Sequence, residues 1–289
     1  MNNKFIDYEL EVLESGVWGT IGPYSITGAH VLAELVGARY GLLCHSASAA
    51  YESVLRACGA AHGSYIITPS YGDPNNTLTA ACTGAAPLFC DVDAGTGLIA
   101  PSSLEKTLER PNASRAVAVV ADYIPGKAGF ELEKITALCK KHSLPFILNA
   151  GGCLTARHNG KPLIDFADAV IWSIGSGSEV YTGNGGFIAF DRSDLYADTF
   201  AYHNCGRSPG DGCTLTFDDI LGGDMRVTEW TARLIEPLLE TGRFAAVNPR
   251  KFTAMHREPA LHSEYFKKQT GSDGIYSDTE LQNSILLSN

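Results

Sequence analysis

The chain has 289 residues, 45% of them hydrophobic and 19% charged, enough to bury a sizeable core as one large domain or as one large and one small. A formal charge of −10 argues against a surface for nucleic acid or an anionic membrane, because holding phosphates by surface charge requires clustered Lys and Arg. The opening segment, MNNKFIDYELEVLE, has no apolar signal core, and no window approaches the roughly 18 uninterrupted apolar residues of a membrane span. A cytoplasmic protein with neither a membrane nor a nucleic-acid partner is therefore expected. Its eight cysteines are scattered without a CxxC, which suggests small core residues rather than a zinc knuckle or a disulfide framework, and no metal site is predicted. The sequons beginning at Asn75 and Asn112 lack a secretory context and read as chance.

Taken in chain order, the first clear element is a helix from Ala49 to Ala61, where Tyr51, Val54, Leu55 and Cys58 recur at helical spacing before Gly63. Short apolar runs without polar alternation follow at Tyr65 to Thr68, Ala86 to Cys90, Arg115 to Ala121, Pro145 to Asn149 and Ala169 to Ile174. They have the length of strands covered on both faces. Helical segments lie between them: Ser102 to Arg110, opening on a Ser102/Glu105 capping box, and Glu131 to His142 with Leu132, Ile135, Leu138 and Cys139 on one face. This alternation predicts an α/β protein with a mostly parallel central sheet, helices on both faces and ligands at the carboxyl ends of the strands. Gly185 to Phe190 reads as a further strand, and Thr228 to Glu240 as a helix disturbed at Pro237. After Asn248 the chain becomes polar and loses its periodicity. Residues 1–240 are expected to form a large domain and 241–289 a short C-terminal appendage; no internal repeat is visible.

Three glycine-rich or small-residue stretches could hold a phosphate. No GxxxxGK[ST] occurs, and "GNGGF" lacks the strand-to-helix GxGxxG spacing that brings a helix N-terminus to a pyrophosphate. "CHSASAAYESVL", residues 44–55, leads small residues straight into a helix. Backbone N–H groups there, flanked by the Ser46 and Ser48 hydroxyls, would form a phosphate cradle; a plain N-cap is the equally open alternative. "WSIGSGSEVYTGNGG", residues 172–186, looks built to hold a ligand but carries a single charge, Glu179. Its hydroxyls and glycines supply hydrogen bonds rather than a strong base or nucleophile.

Together "ESGVWG", "CHSASAAYESVL", "YIITPSY", "GAAPLFCDVDAGTG", "PFILNAGGC", "WSIGSGSEVYTGNGGFIAF", "YHNCGR" and "LGGDMRVTE" resemble, in order and spacing, the pyridoxal-phosphate fold type I enzymes of the DegT or StrS group. These are sugar-nucleotide aminotransferases and their relatives in antibiotic and cell-surface sugar pathways. The resemblance spans residues 10 to 240 and implies a fold type I PLP-transferase-like architecture with a truncated C-terminal small domain, since the family continues for many more residues.

Carried over residue by residue, it implies a site with departures. The Schiff-base lysine stands five residues after a strand-end serine; here Ser173 takes the serine position and Ser178 the lysine position. A hydroxyl cannot form an imine. No lysine occurs between Pro162 and Arg250, so sliding the match does not recover one. The acid that keeps the pyridine nitrogen protonated becomes Asn149, and the polar residue three further on becomes Gly152. Near Tyr71, the aromatic of the Pro69 to Tyr71 stretch, the ring-stacking position falls on Asp73. The asparagine that reaches a neighbouring subunit's cofactor phosphate becomes Asp224, and a carboxylate about 4 Å from a phosphate opposes binding by roughly 4 kcal/mol per charge pair at an effective dielectric near 20. Ser46, Ala47 and Ser48, Ser173, the turn Gly183 to Gly186, and Arg226 with Glu229 survive.

The implied cofactor, pyridoxal phosphate or pyridoxamine phosphate, is thus expected to be held without a covalent bond or to be absent. Two functions follow. The first is a catalytically impaired, aminotransferase-like protein that forms a homodimer, or a heterodimer with a lysine-bearing paralogue, contributing residues such as His203, Asn204 and Arg207 across the interface. The second is an enzyme using the cofactor non-covalently on a sugar nucleotide or related small molecule, as dehydratases resembling this family do with a histidine in place of the lysine. Serine is a far weaker base than imidazole, and Glu179, the neighbouring acid, is expected to be a solvated turn residue. A binding protein for a phosphorylated or sugar-nucleotide ligand is a third expectation.

Overall fold

A computed structural model describes residues 4–19, 21–209, 215–217, 219–240 and 258–259. The chain forms two compact units, one of Met1–Ala57, Ala150–Ile164 and Ala169–Val247, the other of Cys58–Asn149, Asp165–Asp168 and Asn248–Asn289. The first unit opens with helices α1 (Lys4–Ser15) and α2 (Pro23–Val36), strand β1 (Tyr40–Cys44) and helix α3 (Ala47–Ala57). The second follows with β2 (Tyr65–Pro69), α4 (Pro74–Cys82), β3 (Ala86–Cys90), α5 (Pro101–Leu108), β4 (Ala116–Asp122), α6 (Leu132–Lys141) and β5 (Phe146–Asn149). The chain then returns to the first unit with β6 (Ala169–Ser173), β7 (Gly186–Phe190), α7 (Ser193–His203), α8 (Glu229–Arg233) and α9 (Ile235–Glu240).

The second unit is the parallel part of this α/β fold. β2 lies between β3 and β4, and β5 pairs with the far side of β4, every pair parallel. Parallel neighbours require crossover segments, which α4, α5 and α6 supply. Ile66, Ile67, Leu88, Phe89, Val119, Val120, Ile147 and Leu148 are fully buried, which explains why these strands read as continuous apolar runs rather than alternating ones. On α6 the periodic Leu132, Ile135 and Cys139 face inward.

In the first unit β7 is flanked by β1 and β6, both antiparallel to it. Trp172 on β6 stacks on Phe187 of β7 at 5.5 Å between ring centres. α3 packs on α7, and α2 packs on β1 and α8. The buried Glu229 carboxylate, at the start of α8, accepts from the backbone N–H groups of Gly22, Tyr24 and Ser25 at 3.3, 2.8 and 3.1 Å, capping α2. Pairing negative charge with the positive end of a helix stabilises both. Among the described residues no helix is long and apolar enough to cross a membrane.

Several local expectations change. The Ser102/Glu105 capping box is not formed: Ala100 is the N-cap and Pro101 opens α5, because proline's fixed φ and missing N–H suit the first helical position. The helix expected over Thr228 to Glu240 breaks at Leu234 rather than at Pro237. Pro237 has no N–H for the Arg233 carbonyl, so the interruption falls one turn upstream of the proline. The helix expected from Ala49 starts at Ala47 and ends at Ala57. Strand β1 and helices α1, α2, α4 and α7 had not been anticipated. The C-terminal appendage lies outside the described residues except for Glu258–Pro259, which pairs antiparallel with Tyr71–Gly72.

Candidate functional site

At the start of α3, Ser46 accepts a hydrogen bond from Ala49 N–H on its Oγ at 3.1 Å and one from Ala50 N–H on its carbonyl at 3.1 Å. Its hydroxyl is therefore the N-cap. Ala47 is half-buried and Ser48 exposed. A Cβ on Gly186 would come within 2.7 Å of the Ser46 carbonyl carbon and 2.8 Å of Ala47 Cα, so β7 meets the helix start backbone to backbone. The arrangement presents the first-turn N–H groups of an eleven-residue helix, the positive end of its dipole, beside a glycine-lined strand end. The N-cap alternative is therefore formed, with the Ala49 and Ala50 N–H groups taken up by Ser46.

The segment after β6 is organised differently. Ser173 Oγ accepts from Gly175 N–H at 3.1 Å, closing its own turn, and Thr182 donates to the Ile174 carbonyl from both N–H and Oγ1 at 3.0 and 3.2 Å. Ser178 N–H bonds to Gly175 O at 3.2 Å, with Gly177 in the left-handed region at φ +83° that glycine accepts at little cost. Ser178 is 1% exposed, and its Oγ has no hydrogen-bond partner among the described residues. It faces Gly152: a Cβ there would stand 2.7 Å from Ser178 Cα and 2.9 Å from Ser178 Oγ. Glu179 N–H donates to Gly152 O at 2.9 Å, while the Glu179 carboxylate holds Thr155 N–H and Oγ1 at 2.7 and 2.9 Å. Glu179 is accordingly half-buried and spent on fixing this turn, not the solvated residue expected. Nearby, burial pushes the Cys153 thiol up to about 11.

In the second unit Asn149, which the resemblance assigns to the pyridine end, belongs to a hydrogen-bonded group. Asn149 Nδ2 donates to Asp122 Oδ1, Asp73 Oδ2 and Asn76 Oδ1 at 3.0, 3.1 and 3.3 Å. Asp122 also accepts from Asn76 Nδ2 at 2.7 Å and from Asp73 N–H at 3.1 Å, and Asp73 caps α4 through Asn75 N–H at 2.9 Å. Buried acceptors matched by donors are the arrangement a low-dielectric interior requires. Asp122 and Asn76 escaped sequence reasoning; the available signal was an aspartate closing the apolar run of β4. Tyr71 is half-buried beside this group in sequence, in the short strand before α4.

Asp224 is exposed and ion-paired with Arg226, Nε to Oδ1 at 2.8 Å. The hydrogen bond from Arg226 holds the Asp224 carboxyl below the usual carboxylate range, and Asp224 in turn holds the guanidinium above its ordinary value. Asp224 bridges Asn204 through the backbone. His203 and Asn204, expected to reach across an interface, are 3% and 0% exposed within their own chain. His203 Nε2 lies 2.9 Å from the Leu43 carbonyl, so α7 uses it to hold β1. Glu229 is likewise structural, as the cap of α2. Arg207, half-buried, places its guanidinium 5.1 Å from the centre of the Phe217 ring.

The fold, the order of the motifs and these two clusters define a fold type I aminotransferase-like protein. The model of the DegT/DnrJ/EryC1/StrS aminotransferase family matches residues 1–256, and the chain belongs to that family. Among curated relatives, L-glutamine:2-deoxy-scyllo-inosose aminotransferase of Streptomyces fradiae is 25% identical over 284 residues, covering 92% of this chain and 66% of its own length. Spore coat polysaccharide biosynthesis protein SpsC of Bacillus subtilis (strain 168) is 29% identical over 205 residues, 67% of this chain and 51% of its own. The chain thus spans between half and two thirds of these relatives. Of solved structures, Helicobacter pylori PseC, an aminotransferase involved in the biosynthesis of pseudoaminic acid, superposes with a TM-score of 0.77 at 20% identity over 98% of this chain and 90% of that one. The aminotransferase from Psychrobacter cryohalolentis gives 0.71 at 22% identity over 83% and 62%. At these identities the structural likeness is one of fold.

Proposed function

We propose that this chain is a non-catalytic member of its family, a partner subunit in sugar or natural-product biosynthesis that pairs with itself or with a lysine-bearing paralogue in the cytoplasm. The observation that carries this reading is the burial of Ser178 against Gly152. A pyridoxal phosphate tethered to the protein does not fit the turn: Ser178 offers no amine, its side chain is enclosed, and the backbone of residue 152 occupies the space beside it. Asn149 supports the same reading, because its amide is engaged by two carboxylates in place of the acid that would hold a pyridinium.

What remains fits a phosphate group alone. The N–H groups at the start of α3, with Ala47 and Ser48 at their mouth, support non-covalent binding of pyridoxal phosphate or pyridoxamine phosphate through its phosphate, with Ser173 of the same unit as a further candidate contact. Asp224 opposes an anion less than an isolated carboxylate would, since Arg226 is paired with it. Arg207 is the interface candidate that remains of the three expected.

The test is spectroscopic. Purified protein mixed with pyridoxal phosphate is expected to show no imine absorption and, after borohydride and digestion, no pyridoxyl peptide from residues 172–186. An adduct there would overturn the proposal, and so would turnover of a sugar nucleotide by the isolated chain with pyridoxamine phosphate. Co-purification with a lysine-bearing relative supports the partner role.

A further inference from the structure

The dipeptide Asn-Gly occurs twice in the chain, at Asn159–Gly160 and at Asn184–Gly185. Glycine has no Cβ to shield its backbone nitrogen, so an asparagine before it is the one most open to attack on its own side-chain amide. The glycine nitrogen forms a bond to the asparagine Cγ, the Cγ–Nδ2 bond breaks, and ammonia leaves with the proton from the glycine N–H. Water then opens the cyclic imide to aspartate or isoaspartate, with no change of oxidation state. The product carries a negative charge where the amide was neutral.

The two sites are held differently. Asn159 and Gly160 both have left-handed backbone, at φ +50° and +78°, and form the two-residue turn between the paired Arg157–His158 and Lys161–Pro162. Swinging Gly160 N onto Asn159 Cγ would rotate the chain out of that turn and break the pairing on either side. Asn184 is exposed, in the loop before β7. A Cβ on the preceding Gly183 would meet nothing within 4 Å, and the Gly185 N–H makes no hydrogen bond among the described residues. Glycine is nevertheless required at 185, because a Cβ there would stand 2.6 Å from Ile174 Cγ1. Packing thus keeps the susceptible pair in place.

We propose that Asn184 is a modification site, where spontaneous deamidation places a carboxylate beside the candidate anion site of the same unit. The neighbourhood carries the consequence. A Cβ on Gly175 would stand 3.4 Å from Ser173 Oγ and 3.7 Å from Asn184 Oδ1, so these two side chains border one small space. Two residues further on, a Cβ on Gly186 would stand 2.8 Å from Ala47 Cα, at the start of α3. A new carboxylate here repels an anion held by Ser173 or the first N–H groups of α3, an effect that rests on the phosphate-binding reading of that helix start.

The full chain is aged at mildly alkaline pH, digested and mapped for mass and isoaspartate, and its affinity for inorganic phosphate is followed by calorimetry. The peptide holding Asn184 is expected to convert about fivefold faster than the peptide holding Asn159. Asn184→Asp, made without ageing, is expected to weaken phosphate binding about threefold, as a like charge about 7 Å away in water predicts. Asn184→Gln, which would have to close a larger and slower-forming ring, is expected to show no conversion at that peptide and to keep its phosphate affinity on ageing. Asn184 left intact, or converting no faster than Asn159, would overturn the modification. Equal phosphate affinity in the unmodified chain and Asn184→Asp would overturn its effect on the anion. Absence of phosphate binding by the unaged chain would instead sink the reading of the helix start, and peptide mapping would still decide the modification.

Discussion

The start of α3 and the turn after β6 lie in the same unit, and the resemblance assigns both to one cofactor, yet they have fared differently. At α3 the candidate ligand groups are backbone N–H, supplied by helix geometry whatever the side chains, and the one side chain that matters, Ser46, is still a capping residue. At the turn the resemblance assigns the chemistry to a single side chain, and that position holds a serine enclosed against Gly152. Donors supplied by the main chain tolerate substitution of the side chains around them, whereas a role carried by one side chain depends on that residue. The departures at 152 and 178 are also physically linked, because a side chain at 152 would collide with the backbone of 178.

The most severe way to break the contrast is to restore the amine. Ser178→Lys buries an ammonium where the native hydroxyl already lacks a partner among the described residues, so a loss of about 4 kcal/mol or more is expected in denaturant unfolding, without recovery of an imine band. Asn149→Asp, returning the family's acid, sets a third carboxylate where the amide donated to Asp122 and Asp73 at 3.0 and 3.1 Å. Roughly 4 kcal/mol per like pair at 4 Å and an effective dielectric near 20 predicts marked destabilisation at pH 7. That penalty should shrink as pH falls, since a protonated carboxyl donates again.

A pH titration of the unmodified chain tests His203, whose folded value, about 4, lies below its ordinary 6.5. The unfolded chain then binds the extra proton first, so this residue's contribution to stability is lost as pH falls from about 6.5 to 4, by up to about 3 kcal/mol. His203→Phe should flatten that part of the stability profile. Gly152→Ala is expected to cost about 2 kcal/mol, because its Cβ would stand 2.7 Å from Ser178 Cα and backbone must move. The smallest effect is expected from Ser46→Ala, about 1 kcal/mol of helix capping, with inorganic phosphate binding weakened only a few-fold because the N–H groups remain. A total loss of phosphate binding in Ser46→Ala would mean that the hydroxyl rather than the backbone forms the site.

Local sequence determined a good deal here. The unbroken apolar runs located β2 to β5 because strands covered on both faces need no polar alternation, and the motif order carried the family. β1 was harder to read: Tyr40–Cys44 is short, and its apolar Leu42, Leu43 and Cys44 give no period that separates strand from helix.

Tertiary structure alone decided what the polar residues do. Glu229 caps a helix some two hundred residues upstream, His203 ties α7 to β1, and Asp122 gathers Asn76 and Asn149. Each of these roles depends on a partner far away in sequence, so no spacing rule could announce it. Likewise the enclosure of Ser178, as distinct from its identity, came from the glycine packed against it. A side chain's chemistry is written in its own letter, but its access to solvent or ligand is set by the neighbours the fold brings near.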